Sequence, residues 1–342
     1  MLANALPAAR AARPQWKMRA AGSFLAFALT VAADASAEDP SRWLERSAQA
    51  ARTLNYSGTI VYQHNGQVET SRLVHMFDGG QELEKVVSLD GPAREMIRTS
   101  GEVRCFYPDA KIVRIESRTF GNVFPSLSAE QQRNLVQYYE TRLVISERVA
   151  GHWTQVMTFE PKDGLRYGHK LWADAISGLL LKARLVDERG EVVEQFAFTD
   201  VSINDKLDRE LVKPSWASAP PDWKVKQGSF GETLPQETGW SVRKLPGGFA
   251  KIMEGYRTQR GKKEPVVHLV YSDGLVSVSV FVEPLAVAPL QTGVSQQAGL
   301  NVYTTKSDDH LVTVLGEAPP ATVRQIAQSV ARRETVERAR DK

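Results

Sequence analysis

The sequence predicts an α+β protein: a large, half-open antiparallel β-barrel domain, then a smaller α+β domain with a sheet and a C-terminal helix. Three observations carry this reading. Between residues 59 and 201, strand-like runs recur at roughly ten-residue spacing, joined by Gly and Asp turns, which describes an antiparallel meander. From 213 to 237 the composition changes, with Pro214, Pro220, Pro221, Gly228, Gly231 and Pro235 marking a linker. Near the end, Val323, Ile326, Ala327 and Val330 fall at the spacing of an amphipathic helix laid on a sheet.

The elements follow in order. Arg10, Arg13, Lys17 and Arg19 form a basic leader, and Ala20–Ala33 is an uncharged, mainly apolar run of 14 residues. Ala35-Ser36-Ala37 completes the layout of a cleavable secretory signal over 1–37, with the cut expected after Ala37. The apolar run is shorter than the about 20 residues that span a bilayer. Asp39-Pro40 is a helix start, N-cap then first-turn proline, with Trp43, Ser47, Ala50, Ala51 and Leu54 along one face. Strands are expected at 59–63 and 68–77, joined at Asn65-Gly66, the strongest short hairpin signal. More follow at 82–89, 94–99, 103–107 and 112–117. Ser128-Ala129-Glu130-Gln131 is a capping box for a helix carrying Leu135, Val136 and Tyr139. The meander resumes at 142–148, 154–159, 167–173, 179–185 and 192–201, and a sheet of eight or more strands must curl. The second domain has strand-like runs at 240–245, 249–256, 266–271, 276–282, 301–305 and 311–315 before its helix. The expected organisation is a signal peptide over 1–37, a large domain over 38–212, a linker over 213–237, a small domain over 238–335 and a charged tail over 336–342.

Composition narrows function. Apolar residues make up 42% of the 342, enough for real cores. The net charge of +3 includes the basic leader, so the exported chain is near neutral and nothing argues for nucleic acid. Cys105 is the only cysteine, which excludes an intrachain disulfide and a Cys-rich metal site. It reads as a small strand side chain, with a reactive thiol as the alternative. The chain after the leader should be soluble. No Walker loop, G-x-G-x-x-G, H-E-x-x-H or G-x-S-x-G occurs, and the six histidines show no ligand spacing. No enzyme, cofactor or metal site is expected.

Two runs stand apart. Residues 161–172 read Pro-Lys-Asp-Gly-Leu-Arg-Tyr-Gly-His-Lys-Leu-Trp, followed by Ser177-Gly178-Leu179-Leu180-Leu181-Lys182. They are sheet scaffold or the wall of an apolar cavity that accepts acyl chains, with Tyr167, Leu171, Trp172, Leu179 and Leu181 as groove candidates. Residues 266–281 form a hairpin on Asp273-Gly274, with Val276, Val278 and Val280 on one face and Ser277, Ser279 and Phe281 on the other. This is core, or a surface that pairs with a partner peptide.

These runs carry a resemblance. Arg148-Val149-Ala150-Gly151, the 161–172 segment, Ser177–Lys182, Glu194-Gln195-Phe196-Ala197-Phe198-Thr199, Leu245-Pro246-Gly247-Gly248-Phe249, the 268–281 hairpin and Val312–Pro319 stand in the order of the RseB/MucB family. With Tyr56-Ser57-Gly58-Thr59, the resemblance covers nearly the whole chain after the leader; Ser177 stands where Thr is expected. It implies a large domain similar to the periplasmic lipoprotein carriers, with an apolar groove, and a small domain of a sheet and a helix. It implies binding to the periplasmic domain of a membrane-spanning anti-sigma factor and shielding of that factor from the first protease of its cascade. Release would come from lipoprotein acyl chains or lipopolysaccharide, and homo-oligomers are compatible with the family. Tyr271, Ser272, Asp273, Gly274 and Leu275 are the expected partner contacts; Trp216 and Trp223 of the linker are expected interdomain or partner contacts, with packing onto their own domain as the alternative. A lipoprotein carrier without regulatory role is the alternative, and the second domain argues against it.

Overall fold

The computed structural model describes residues 39–64, 66–117, 135–216, 220–228, 234–257, 264–285, 292–297 and 300–333. The signal peptide with its cut after Ala37, the Ser128–Gln131 capping box, Asn65 and the 336–342 tail lie outside the described residues.

Helix α1 (Pro40–Thr53) starts where Asp39 caps it, its carboxylate accepting from the Ser41 backbone N–H at 2.9 Å and hydroxyl at 2.7 Å. It buries Trp43, Leu44, Ser47, Ala48 and Ala50. Strands β1 (Tyr56–His64), β2 (Gln67–Asp78), β3 (Gln81–Ser88), β4 (Glu95–Arg98), β5 (Glu102–Tyr107) and β6 (Ile112–Ser117) follow as an antiparallel meander. A second meander runs through β7 (Tyr139–Val149), β8 (His152–Pro161), β9 (Gly168–Asp174), β10 (Leu180–Val186) and β11 (Val192–Ile203). Strand β11 returns to pair with β1, so the two meanders join into one sheet. Among the described residues its edges, β7 at one end and β12 (Lys224–Gly228) at the other, do not pair with each other, and the twelve-stranded sheet stays open.

The second domain adds β13 (Leu234–Pro235), β14 (Trp240–Val242), β15 (Ala250–Arg257), β16 (Val266–Ser272), β17 (Ser277–Pro284), β18 (Gly293–Gln297), β19 (Leu300–Ser307) and β20 (His310–Gly316). Seven strands form a sheet in the order β13-β15-β16-β17-β20-β19-β18. Helix α2 (Pro320–Ala327) packs Val323 and Ile326 into a core with Leu269, Val278, Val280, Val312 and Val314. Strand β21 (Val330–Arg332) pairs with β14.

The structure differs from the sequence expectation at five places. The proline-marked stretch is no bare tether: β12 adds to β6 in parallel, and β13 pairs with β15. Among the described residues, Trp216 and Trp223 pack on the large sheet with Ile97, Phe106 and Val113, the alternative to an interdomain contact; Trp216 stacks on Phe106 at 5.6 Å. Residues 135–138 are helical, but Tyr139 opens β7. Val330 belongs to β21 instead of the helix, and β18 has no counterpart among the expected strands.

Candidate functional site

The two sheets meet at a buried polar junction whose centre is Arg166, in the loop between β8 and β9. Its side chain is 1% exposed, and its Nη1 donates to Asp273 Oδ2 at 2.9 Å. Nε donates to Asp163 at 3.2 Å and Nη2 to the Gly247 carbonyl. The guanidinium lies 4.6 Å from the Tyr138 ring centroid, 5.6 Å from Tyr139 and 5.4 Å from Phe249. A buried charge is costly unless paired and hydrogen-bonded; this one pairs with Asp273 and Asp163 and donates from all three nitrogens. Burial alone would push the Arg166 pKa down, but the Asp273 carboxylate and the other partners hold it above its ordinary value. The Tyr139 hydroxyl also donates to Asp273 Oδ2, at 2.8 Å, and burial with that carboxylate pushes its pKa well up.

Further bonds close the junction. Asn301 donates to the Tyr167 hydroxyl at 3.0 Å and to the Ala318 carbonyl at 2.9 Å. Thr322 donates to the Leu165 carbonyl at 2.6 Å. A Cβ on Gly247 or Gly248 would come within 2.6 Å of the Tyr138 ring, so only glycine lets this aromatic lie on the backbone there.

Beside the junction is an apolar pocket of about 290 Å³. Leu44 of α1, with Leu171, Leu180, Ala183 and Phe196 of β9–β11, forms its walls; Leu275 and Glu317 reach in from the second domain. His169 lines it too, its ring edge-on to Tyr139 with centroids 6.3 Å apart, and burial pushes its pKa down to about 4.

The expected site residues divide accordingly. Tyr271, Ser272, Asp273 and Gly274 are buried, and Leu275 packs against the large-domain core. The turn is four residues long, with Asp273 Oδ1 accepting from the Leu275 and Val276 backbone N–H groups at 3.0 Å each. The turn offered to a partner is, in this structure, the small domain's half of the junction. Among the described residues, Trp216 and Trp223 pack within the large domain. Of the groove candidates, Leu171 lines the pocket and Tyr167 sits in the junction; Trp172, Leu179 and Leu181 pack into the adjoining core with Ala50, Val156 and Phe198. Sequence reasoning missed Arg166, Ala183 and Phe196 as site residues, although the first and last lie within the motifs singled out. Among the described residues, no cluster of His, Cys, Asp or Glu could hold a metal, and no helix is long and apolar enough to cross a membrane.

Comparison with known proteins gives a consistent result. The profile of the MucB/RseB N-terminal domain matches residues 39–216, and that of the MucB/RseB C-terminal domain matches 235–331. The chain is 31% identical over 322 residues to the sigma factor AlgU regulatory protein MucB of Pseudomonas aeruginosa, covering 90% of this chain and 94% of that protein. It is 28% identical over 311 residues to the sigma-E factor regulatory protein RseB of Escherichia coli K12, covering 90% and 96%. A crystal structure of MucB in complex with MucA(peri) superposes with a TM-score of 0.66 at 30% identity, covering 86% of this chain and 99% of that one.

Proposed function

The chain belongs to the MucB/RseB family, and from that premise we propose that it is a non-catalytic periplasmic regulator that binds the periplasmic domain of an anti-sigma factor. Bound, it shields that domain from the protease that starts sigma-factor release. A lipid-bearing ligand, a lipoprotein acyl chain or lipopolysaccharide, releases it. The observation that carries the reading is the match of both domains to MucB solved with MucA(peri).

The pocket supports the lipid step. It is apolar, and Leu275 from the second domain is one of its walls. An acyl chain entering it would meet both domains at the junction. A ligand shifts such an equilibrium only by its differential affinity for the two states, with coupling of about 1–3 kcal/mol typical. A carrier without a regulatory role would need the large sheet alone, so the wall lent by the second domain favours the coupled reading. The test is digestion of the anti-sigma periplasmic domain by its initiating protease. The protein should slow cleavage, and a lipidated peptide should restore it. Cleavage unaffected by the protein would overturn the shielding step; protection that the lipidated peptide leaves intact would overturn release.

A further inference from the structure

We infer that Lys170, Lys182 and Arg184 form a site for a phosphomonoester-type oxyanion on the large sheet, over the indole of Trp172. The register of β9 and β10 sets Lys182 opposite Trp172 and Arg184 opposite Lys170. Alternate residues share a face, so the three cations gather on one side of this hairpin. Their charged atoms lie 4.7 Å (Lys170), 4.6 Å (Lys182) and 5.6 Å (Arg184) from the Trp172 ring centroid. Like charges directly opposite on antiparallel strands are destabilising, and the sequence places Arg184 and Lys170 in that relation.

The cluster is short of negative charge. Glu147 is its one hydrogen-bonded carboxylate among the described residues. Oε1 accepts from Lys170 at 2.9 Å and Oε2 from Trp172 Nε1 at 2.7 Å. Arg184 donates Nε–H to Gln195. Among the described residues, Lys182 hydrogen-bonds to no acceptor, and neither do the two terminal nitrogens of Arg184. Partial burial, then Arg184 and Lys170 nearby, push the Lys182 pKa down, and Glu147, shared with Lys170, only partly offsets it. Three cations against one carboxylate leave two uncompensated charges. A phosphomonoester carries about −1.5 to −2 at pH 7 and offers three acceptor oxygens, matching both the residual charge and the number of cations. A carboxylate or a phosphodiester, with one charge, would leave the cluster uncompensated. The Trp172 floor beneath them is 1% exposed.

This inference does not depend on the proposed anti-sigma function. The test is calorimetric titration of the purified protein with inorganic phosphate, and separately with phosphatidic acid vesicles against phosphatidylcholine vesicles. Saturable binding is expected, weakened about tenfold or more by Lys182→Gln and by Arg184→Gln, the loss of one charged hydrogen bond each. Lys306→Gln, in β19, should leave it unchanged. In phosphate-free buffer Lys182→Gln should melt no lower than the parent, since it removes repulsion; a lower melting temperature would assign Lys182 a structural role and overturn the site. Phosphate binding identifies a free phosphomonoester as sufficient, and binding to phosphatidic acid vesicles alone identifies a lipid headgroup. No saturable binding in either arm, or binding undiminished in both variants, overturns the inference.

Discussion

At Asp273 a single atom takes two of the hydrogen bonds between the domains. Its Oδ2 accepts from both Arg166 and Tyr139, across sequence separations of 107 and 134 residues. Removing one partner of a buried pair leaves the other charge uncompensated, so Asp273→Ala should destabilise by about 3–5 kcal/mol in urea unfolding. A loss under about 1 kcal/mol, the scale of a surface pair, would contradict the assignment of this pair as the junction's centre. His169 makes a second prediction. Burial holds its pKa at about 4, only partly offset by Asp273, whereas the unfolded chain takes up the proton near 6.5. Between those values the unfolded state binds more protons, so stability is present above about 6.5 and falls as pH drops towards about 4. His268, also pushed to about 4 by burial and by Arg257, adds to the same slope. His169→Gln should flatten the change in urea midpoint between neutral and acid pH. An unchanged slope would show that His169 does not contribute to it. Neither role was readable beforehand: Asp273 read as a turn residue offered to a partner and His169 as an ordinary strand histidine, because the sequence does not say which remote surface covers them.

At the scale of elements, most of the fold was legible. Hairpins announce themselves locally, through alternation and turn residues, and β1–β6 follow that pattern. What depends on a distant partner was not. Strand β12 sits in a proline-marked stretch and exists because β6 leaves an edge free beside it; composition cannot supply that edge. Val330 keeps the helical spacing of α2 but pairs with Val242, since β14 offers a partner at that point. Gly58 entered only as part of a family motif, and the structure supplies its reason: a Cβ there would lie 2.2 Å from the Asp200 carbonyl oxygen on β11, beside the bulge at Thr59 and Ile60. The tryptophan pair tests the β12 graft. Trp223→Ala should cost about 2–3 kcal/mol, at or below the range for core tryptophan truncation, because Trp223 is only half-buried. Hydrogen exchange should quicken in β12 and β6 and not in β16 and β17. Quickening across the small sheet would instead place Trp223 at the interdomain junction.

At the scale of the whole molecule, the open sheet and the second domain complete one another. Residues 38–342 form one unit, and the pocket's walls come from both sheets. Of the groove candidates read from the aromatic and leucine-rich strands, Leu171 lines the cavity; the rest of the lining was not legible, since one residue of register moves a side chain to the other face. Ala183→Phe would fill much of the cavity while leaving the polar junction intact. It should abolish the effect of a lipidated peptide and preserve affinity for the anti-sigma domain. A variant still fully responsive to lipid would place the acyl site elsewhere. The central claim is partner binding, and calorimetric titration with the periplasmic domain of the anti-sigma factor, with and without a lipidated peptide, tests it most directly. The account predicts tight binding that the lipidated peptide weakens. Lipid binding with no affinity for the anti-sigma domain would contradict it and leave an acyl-chain carrier in its place.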